Sequence, residues 1–101
     1  QTRQGNSSVS IGEDAGYITQ GPNAISIGSA AGFDTQGATA ISIGLNAGRT
    51  TQGQASIAMG FSAGFTGQGN SSVALGEEAG YTTQGQNSIA IGRSAGQSSQ
   101  Q

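Results

Sequence analysis

Apolar residues occur along this chain in short alternating bursts, never at helical spacing. Ala24-Ile25-Ser26-Ile27-Gly28 returns sixteen residues later as Ala40-Ile41-Ser42-Ile43-Gly44, and the same beat runs through all 101 residues. Anchored on Gln-Gly, the chain divides into six units, 4–19, 20–35, 36–51, 52–67, 68–83 and 84–99, and Gln100 opens a seventh. In each unit the fifth to ninth places read Ser/Ala, Val/Ile, Ser/Ala, Ile/Leu/Met and Gly, and the twelfth and thirteenth are Ala-Gly. Period-two alternation with β-branched residues predicts a strand. A second extended stretch is predicted after Ala-Gly, as in Gly32-Phe33-Asp34-Thr35-Gln36, with glycine where the chain must turn. Three glycines per unit would cost a helix about 1 kcal/mol apiece against Ala, and sixteen residues are too few for a helical pair.

Two strands and two turns in each unit predict an all-β fold, a parallel β-solenoid or β-roll of six coils, as one repeat domain. Equivalent residues then stack about 4.8 Å apart along the axis. Gln4, Gln20, Gln36, Gln52, Gln68 and Gln84 form a column expected to pass amide hydrogen bonds from coil to coil. The aliphatic positions, Val9, Ile11, Ile25, Ile27, Ile41, Ile43, Ile57, Met59, Val73, Leu75, Ile89 and Ile91, are expected to be the core strand residues. Twelve such side chains are a thin supply for a lone chain, and the opposite strand face is uniformly small, open to a second surface. Self-association is therefore expected.

Composition narrows the function. The chain has 19 glycines and one proline, and lacks Cys, His, Trp and Lys. Without Cys there is no disulfide framework or thiolate metal site, and without His the usual general base and commonest metal ligand are missing. No Ser-His or Ser-Lys pair can form, and no phosphate-cradling Gly-x-x-x-x-Gly-Lys motif is present. The expectation is a non-enzyme with no catalytic residues, no metal and no cofactor. A net charge of −2 offers no footprint for nucleic acid, and no apolar run is long enough to span a bilayer as a helix, so neither nucleic acid nor membrane contact is expected of this segment. The missing start Met and signal peptide suggest a piece of a longer chain. Glu13-Asp14 and Glu77-Glu78 occupy places that hold Ser29-Ala30 and Leu45-Asn46 in other units, which marks a tolerant, solvent-facing turn. Place fourteen carries Tyr17, Phe33, Arg49, Phe65 and Tyr81, a candidate surface contact stripe, since exposed aromatics and Arg are enriched in binding patches. The competing reading is that these rings pack over the turn and shield the coil edge.

Ser88-Ile89-Ala90-Ile91-Gly92-Arg93-Ser94-Ala95 and Ser72-Val73-Ala74-Leu75-Gly76-Glu77-Glu78-Ala79 resemble the S-V-A-I-G-x-x-A repeat of trimeric autotransporter adhesin heads, the YadA-like type. The resemblance covers all six units. It implies a left-handed roll, three chains around a threefold axis, and extracellular display on a cell surface for adhesion to a host receptor, extracellular matrix or glycan. The units here run about two residues longer than the family's. In that longer form they also resemble fibre-like proteins of large DNA viruses and phages, which would place the segment on a virion. Two alternatives accompany the adhesin reading: a viral or phage fibre stalk with no ligand of its own, and an ice-binding solenoid built on Thr19, Thr35, Thr51 and Thr83, a column interrupted by Gly67.

Overall fold

The computed structural model describes the backbone of Arg3–Gln4 and residues 7–97. Strands alternate along the chain as β1 (Arg3–Gln4), β2 (Val9–Ile11), β3 (Thr19–Gln20), β4 (Ile25–Ile27), β5 (Asp34–Gln36), β6 (Ile41–Ile43), β7 (Thr50–Gln52), β8 (Ile57–Met59), β9 (Thr66–Gln68), β10 (Val73–Leu75), β11 (Thr82–Gln84) and β12 (Ile89–Ile91). The odd-numbered strands form one six-stranded parallel sheet and the even-numbered strands another. We call them the Gln sheet and the aliphatic sheet. Their register is the repeat itself: Gln20 pairs with Gln36, and Ile25, Ser26 and Ile27 pair with Ile41, Ser42 and Ile43. The result is a flattened β-solenoid with extents of 30 × 21 × 14 Å.

Turns continue the ladder between strands. Ala30 N–H donates to Glu13 O at 2.8 Å and Gly32 N–H to Ala47 O at 2.8 Å, so corner backbone is satisfied by the coils on either side. This matters because unpaired buried backbone groups are costly. Gly28 shows why the ninth place is glycine: its φ is +124°, and a Cβ there would stand 2.8 Å from the Gly44 carbonyl carbon. Each coil also bends through left-handed residues at its fourth and eleventh places, such as Asn23 and Ala30 at φ 60° and 59°. Thr35, Thr51 and Thr83 are left-handed too, at φ 60°, 56° and 52°, a conformation that is a genuine outlier for a β-branched residue.

The interior corrects two expectations. The aliphatic residues are not the core of this roll. Val9, Ile11, Met59, Ile89 and Ile91 are exposed, with Ile11 at 58% and Ile91 at 64%, and Ile25, Ile27, Ile41, Ile43, Ile57, Val73 and Leu75 are half-buried. All twelve alternate with the interior positions and project from the outer face of the aliphatic sheet. The interior is built instead from the small face, Ala24, Ser26, Ala40, Ser42, Ser56, Ala58, Ser72, Ala74, Ser88 and Ala90, together with Ala15, Ala31, Ala47, Ala63 and Ala79. The two sheets lie too close for anything longer on that side.

The second correction concerns glutamine. Gln20, Gln36, Gln52, Gln68 and Gln84 are buried at 2–3% exposure, and their amides bond across the lumen rather than along the column. Gln36 Nε2 donates to Ile25 O at 2.7 Å, Gln52 Nε2 to Ile41 O at 2.6 Å and Gln68 Nε2 to Ile57 O at 2.6 Å. Their Oε1 atoms accept from interior serines: Ser10 to Gln20 and Ser26 to Gln36, both at 2.6 Å, and Ser42 to Gln52. A lumen this narrow brings the opposite sheet nearer to the amide than the next glutamine's free groups, so each Gln acts as a strut between sheets. The side chain of Gln4 lies outside the described residues.

Candidate functional site

Small side chains and glutamines fill the interior, and two stripes run along the surface of the rod. The first is the outer face of the aliphatic sheet. Places six and eight of each coil project from it, two columns of Val, Ile, Leu and Met on a lattice of about 4.8 Å along the axis and about 6.6 Å along the strand. Strand alternation puts them there: the residues between them, Ser26, Ser42, Ala58 and Ala74, point into the lumen with no measurable exposure. Leu45 and Phe61, 45% and 44% exposed, follow Gly44 and Gly60 on the turn leaving this sheet. Burying a side chain of this kind fully gives about 1.5–3 kcal/mol, so an uncovered face of twelve forfeits a large driving force. Soluble monomers rarely show contiguous apolar patches above a few hundred Å².

The second stripe is the column at place fourteen. Tyr17 and Phe33 stack with ring centroids 5.1 Å apart and planes 6° from parallel, and Phe65 and Tyr81 do so at 5.0 Å and 7°. Arg49 fills the gap between the pairs, its guanidinium carbon 5.1 Å from the Phe33 centroid and 5.8 Å from that of Phe65. The coil repeat imposes this spacing, since each ring can only sit over the one before it. Tyr17 is 36% exposed and the other four are half-buried. Arg49 Nε is buried without a hydrogen-bond partner, which fits a guanidinium held by ring faces. Stacking hides the ring faces from solvent, so a ligand at this stripe would meet ring edges and the Arg49 tip. At the C-terminal end, Gln97 Nε2 donates to Glu78 Oε1 at 3.2 Å.

The structure therefore separates the residues singled out by sequence into three groups. The glutamines are interior struts, the aliphatics are an outer face, and the aromatics with Arg49 are an edge stack. Glu13, Asp14 and Glu77 are exposed and Glu78 half-exposed on turns. Among the described residues no group of three His, Cys, Asp or Glu side chains is placed to hold a metal, and no helix is long and apolar enough to cross a membrane. What sequence reasoning missed is the pairing of interior hydroxyls with glutamines. Its signal is visible in the repeats: from Gln20 onward each unit carries one Ser and one Ala across places five and seven (Ala24/Ser26, Ala40/Ser42, Ser56/Ala58, Ser72/Ala74, Ser88/Ala90), while the first unit carries serine at both, Ser8 and Ser10. Compared with known proteins, the chain matches no family model, no curated protein and no solved structure.

Proposed function

We propose that this chain is a structural, adhesive segment of a surface-displayed fibre or adhesin, in which copies of the roll pack together through the aliphatic sheet. The observation that carries this reading is the inversion of the strand: its largest apolar side chains point outward, along an unbroken face, while Ala, Ser and Gln fill the lumen. A chain that puts its β-branched residues outside is arranged to bury them against something else. The number three and the extracellular setting, on a cell surface or virion, follow from the resemblance to YadA-like head repeats. In that arrangement the rod spaces or presents a binding surface, and contact with a host receptor, matrix or glycan falls to the turns and to the edge stack away from the assembly face. Variable turns on a repetitive scaffold are where solenoids place recognition. No catalytic step belongs to this reading.

Light scattering coupled to size-exclusion chromatography tests it. The expected mass is three times the 9.9 kDa of the single chain. The variant Ile27→Asp with Ile43→Asp, changed on the outer face only, is expected to keep its β signal by circular dichroism and to fall to monomer mass. A wild-type chain that is folded and monomeric at micromolar concentration overturns the proposal.

A further inference from the structure

Packing through two nearly uniform columns poses a problem of register. Places six and eight repeat with little variation from coil to coil, so copies packed through them alone could slip by a whole coil at small cost, as weakly specified strands do. The turns that flank the aliphatic sheet are not uniform. On one rim, place ten reads Glu13, Ser29, Leu45, Phe61, Glu77 and Arg93 up the rod, held in a column by bonds such as Ser62 N–H to Leu45 O at 2.9 Å and Glu78 N–H to Phe61 O at 2.8 Å. On the other rim, places three and four carry alanine at only two heights, Ala38 in the third unit and Ala55 in the fourth. Leu45 and Phe61 are the large apolar residues of place ten, and they belong to those same two units. Both are exposed, as is Ala55, while Ala38 is half-exposed.

We infer that Leu45 and Phe61 set the axial register in which copies of this chain pack, by covering Ala38 and Ala55 of a neighbouring copy at the same height. The inference rests on the assembly proposed above, with copies related by rotation about an axis parallel to the rod, so that one rim of each copy meets the opposite rim of the next. The occupant is a second copy because the area suits one. Twelve aliphatics that give up roughly 30–60 Å² each amount to on the order of 500 Å² per copy, against about 800 Å² per partner in a standard interface. The two apolar steps on each rim extend that surface toward the standard figure. In register, apolar meets apolar at both heights. A slip of one coil keeps only one apolar pair: in one direction Leu45 meets Ala55 but Phe61 faces Asn70-Ser71, and in the other Phe61 meets Ala38 but Glu77 faces Gln54-Ala55. Periodic columns thus supply adhesion between copies and the aperiodic rim supplies alignment.

Cysteine cross-linking reads the register directly, because the chain has no cysteine of its own. Arg93→Cys with Gln86→Cys places thiols on opposite rims of one unit, and Glu77→Cys with Gln86→Cys places them one coil apart. Within a single chain the rims are roughly 15 Å apart along the strand direction, beyond the reach of a disulfide, so only links between copies form. With Leu45 and Phe61 present, the same-height pair is expected to oxidise to linked chains and the offset pair to remain unlinked. In the variant Leu45→Ser with Phe61→Ser, the offset link is expected to rise roughly tenfold, while assembly mass and the β signal stay unchanged. An offset link no more frequent in the serine variant overturns the inference, as does equal linking of both pairs in the wild-type background. If the serine variant dissociates, and Leu45→Met with Phe61→Leu restores the assembly without favouring the same-height pair, the two residues supply affinity only and the register role fails. A wild-type chain of monomer mass removes the assembly reading itself, an outcome distinct from all of these.

Discussion

Removing one interior strut tests the account of the lumen at its centre. Gln52 is 2% exposed; its Nε2 donates to Ile41 O at 2.6 Å, and its Oε1 accepts from Ser42 Oγ. Gln52→Leu keeps the volume but removes both bonds, each worth about 0.5–1.5 kcal/mol net. It also leaves the fully buried Ser42 O–H without its acceptor, although Oγ still accepts from Gln36 Nε2 at 3.3 Å, at a further cost of about 1–3 kcal/mol. The single substitution is therefore expected to destabilise the fold by about 2–6 kcal/mol. Ser42→Ala removes that bond and the longer one that Ser42 Oγ accepts from Gln36 Nε2 at 3.3 Å, and leaves Oε1 of Gln52 without its serine donor, a loss of about 1–2 kcal/mol. In the double variant the stranded partners are both gone, so the cost should fall short of the sum by about 1–2 kcal/mol. Urea denaturation followed by circular dichroism measures all four proteins, at one protomer concentration because association contributes to stability. Additivity within about 0.5 kcal/mol would refute the claim that serine and glutamine work as a pair across the lumen. A companion variant sharpens the point. Adding Ala40→Ser to Ser42→Ala moves the hydroxyl to place five, where Ser56 reaches Gln68 Oε1 at 3.3 Å, and should recover about half of the loss.

Three further outcomes follow from the corners and the edge. Gly44→Ala sets a Cβ 2.7 Å from Gly60 O at a φ of +128°; the clash and the strained backbone together should cost about 2–4 kcal/mol, read as a drop in thermal midpoint. Thr51→Asn relieves a β-branched residue at φ 56°, since Asn tolerates this region, and should stabilise the rod by about 0.5–1 kcal/mol; the neighbouring coil already carries Gly67 there. Arg49→Ser opens the edge stack between Phe33 and Phe65 and should lose about 1–2 kcal/mol from two cation–π contacts, whereas Arg49→Tyr, which continues the ring column, should lose little.

The solenoid itself was legible from the repeat. A sixteen-residue beat with strand alternation, glycine corners and no helical spacing leaves few other ways to satisfy the backbone, and the strands form where the alternation predicts them. The edge column was legible as well, because residues sixteen apart must lie over one another. Two things were not. The direction of the glutamine amides depends on the distance between sheets, a property of the closed coil and not of any stretch of sequence. The choice of interior face was hidden for a related reason: alternation states that Ile25 and Ile27 share a side and that Ala24 and Ser26 share the other, but it is symmetric with respect to which side is in. Hydrophobicity alone favours the aliphatics inside, and it gave the wrong answer.

What breaks that symmetry is size, and the repeats do carry the information. Places one, five, seven and twelve hold only Gln, Ala or Ser in every unit from Gln20 onward, while places six and eight exchange Val for Ile and Ile for Leu or Met. Tight limits on volume are the mark of a packed interior, where even one methylene is felt. The looser positions lie where packing is less exacting. At place thirteen the lumen side admits no Cβ: at Gly32 it would stand 2.5 Å from Ser26 Oγ and 3.0 Å from the Gln36 amide carbon. A coil closed that tightly has room for alanine, serine and the flat glutamine amide, and none for a branched aliphatic from the facing sheet. The aliphatic columns are then outside by exclusion, and their size becomes available for packing against other copies. Thus one constraint, the narrow lumen, accounts both for the polar interior and for the apolar exterior on which the proposed assembly depends.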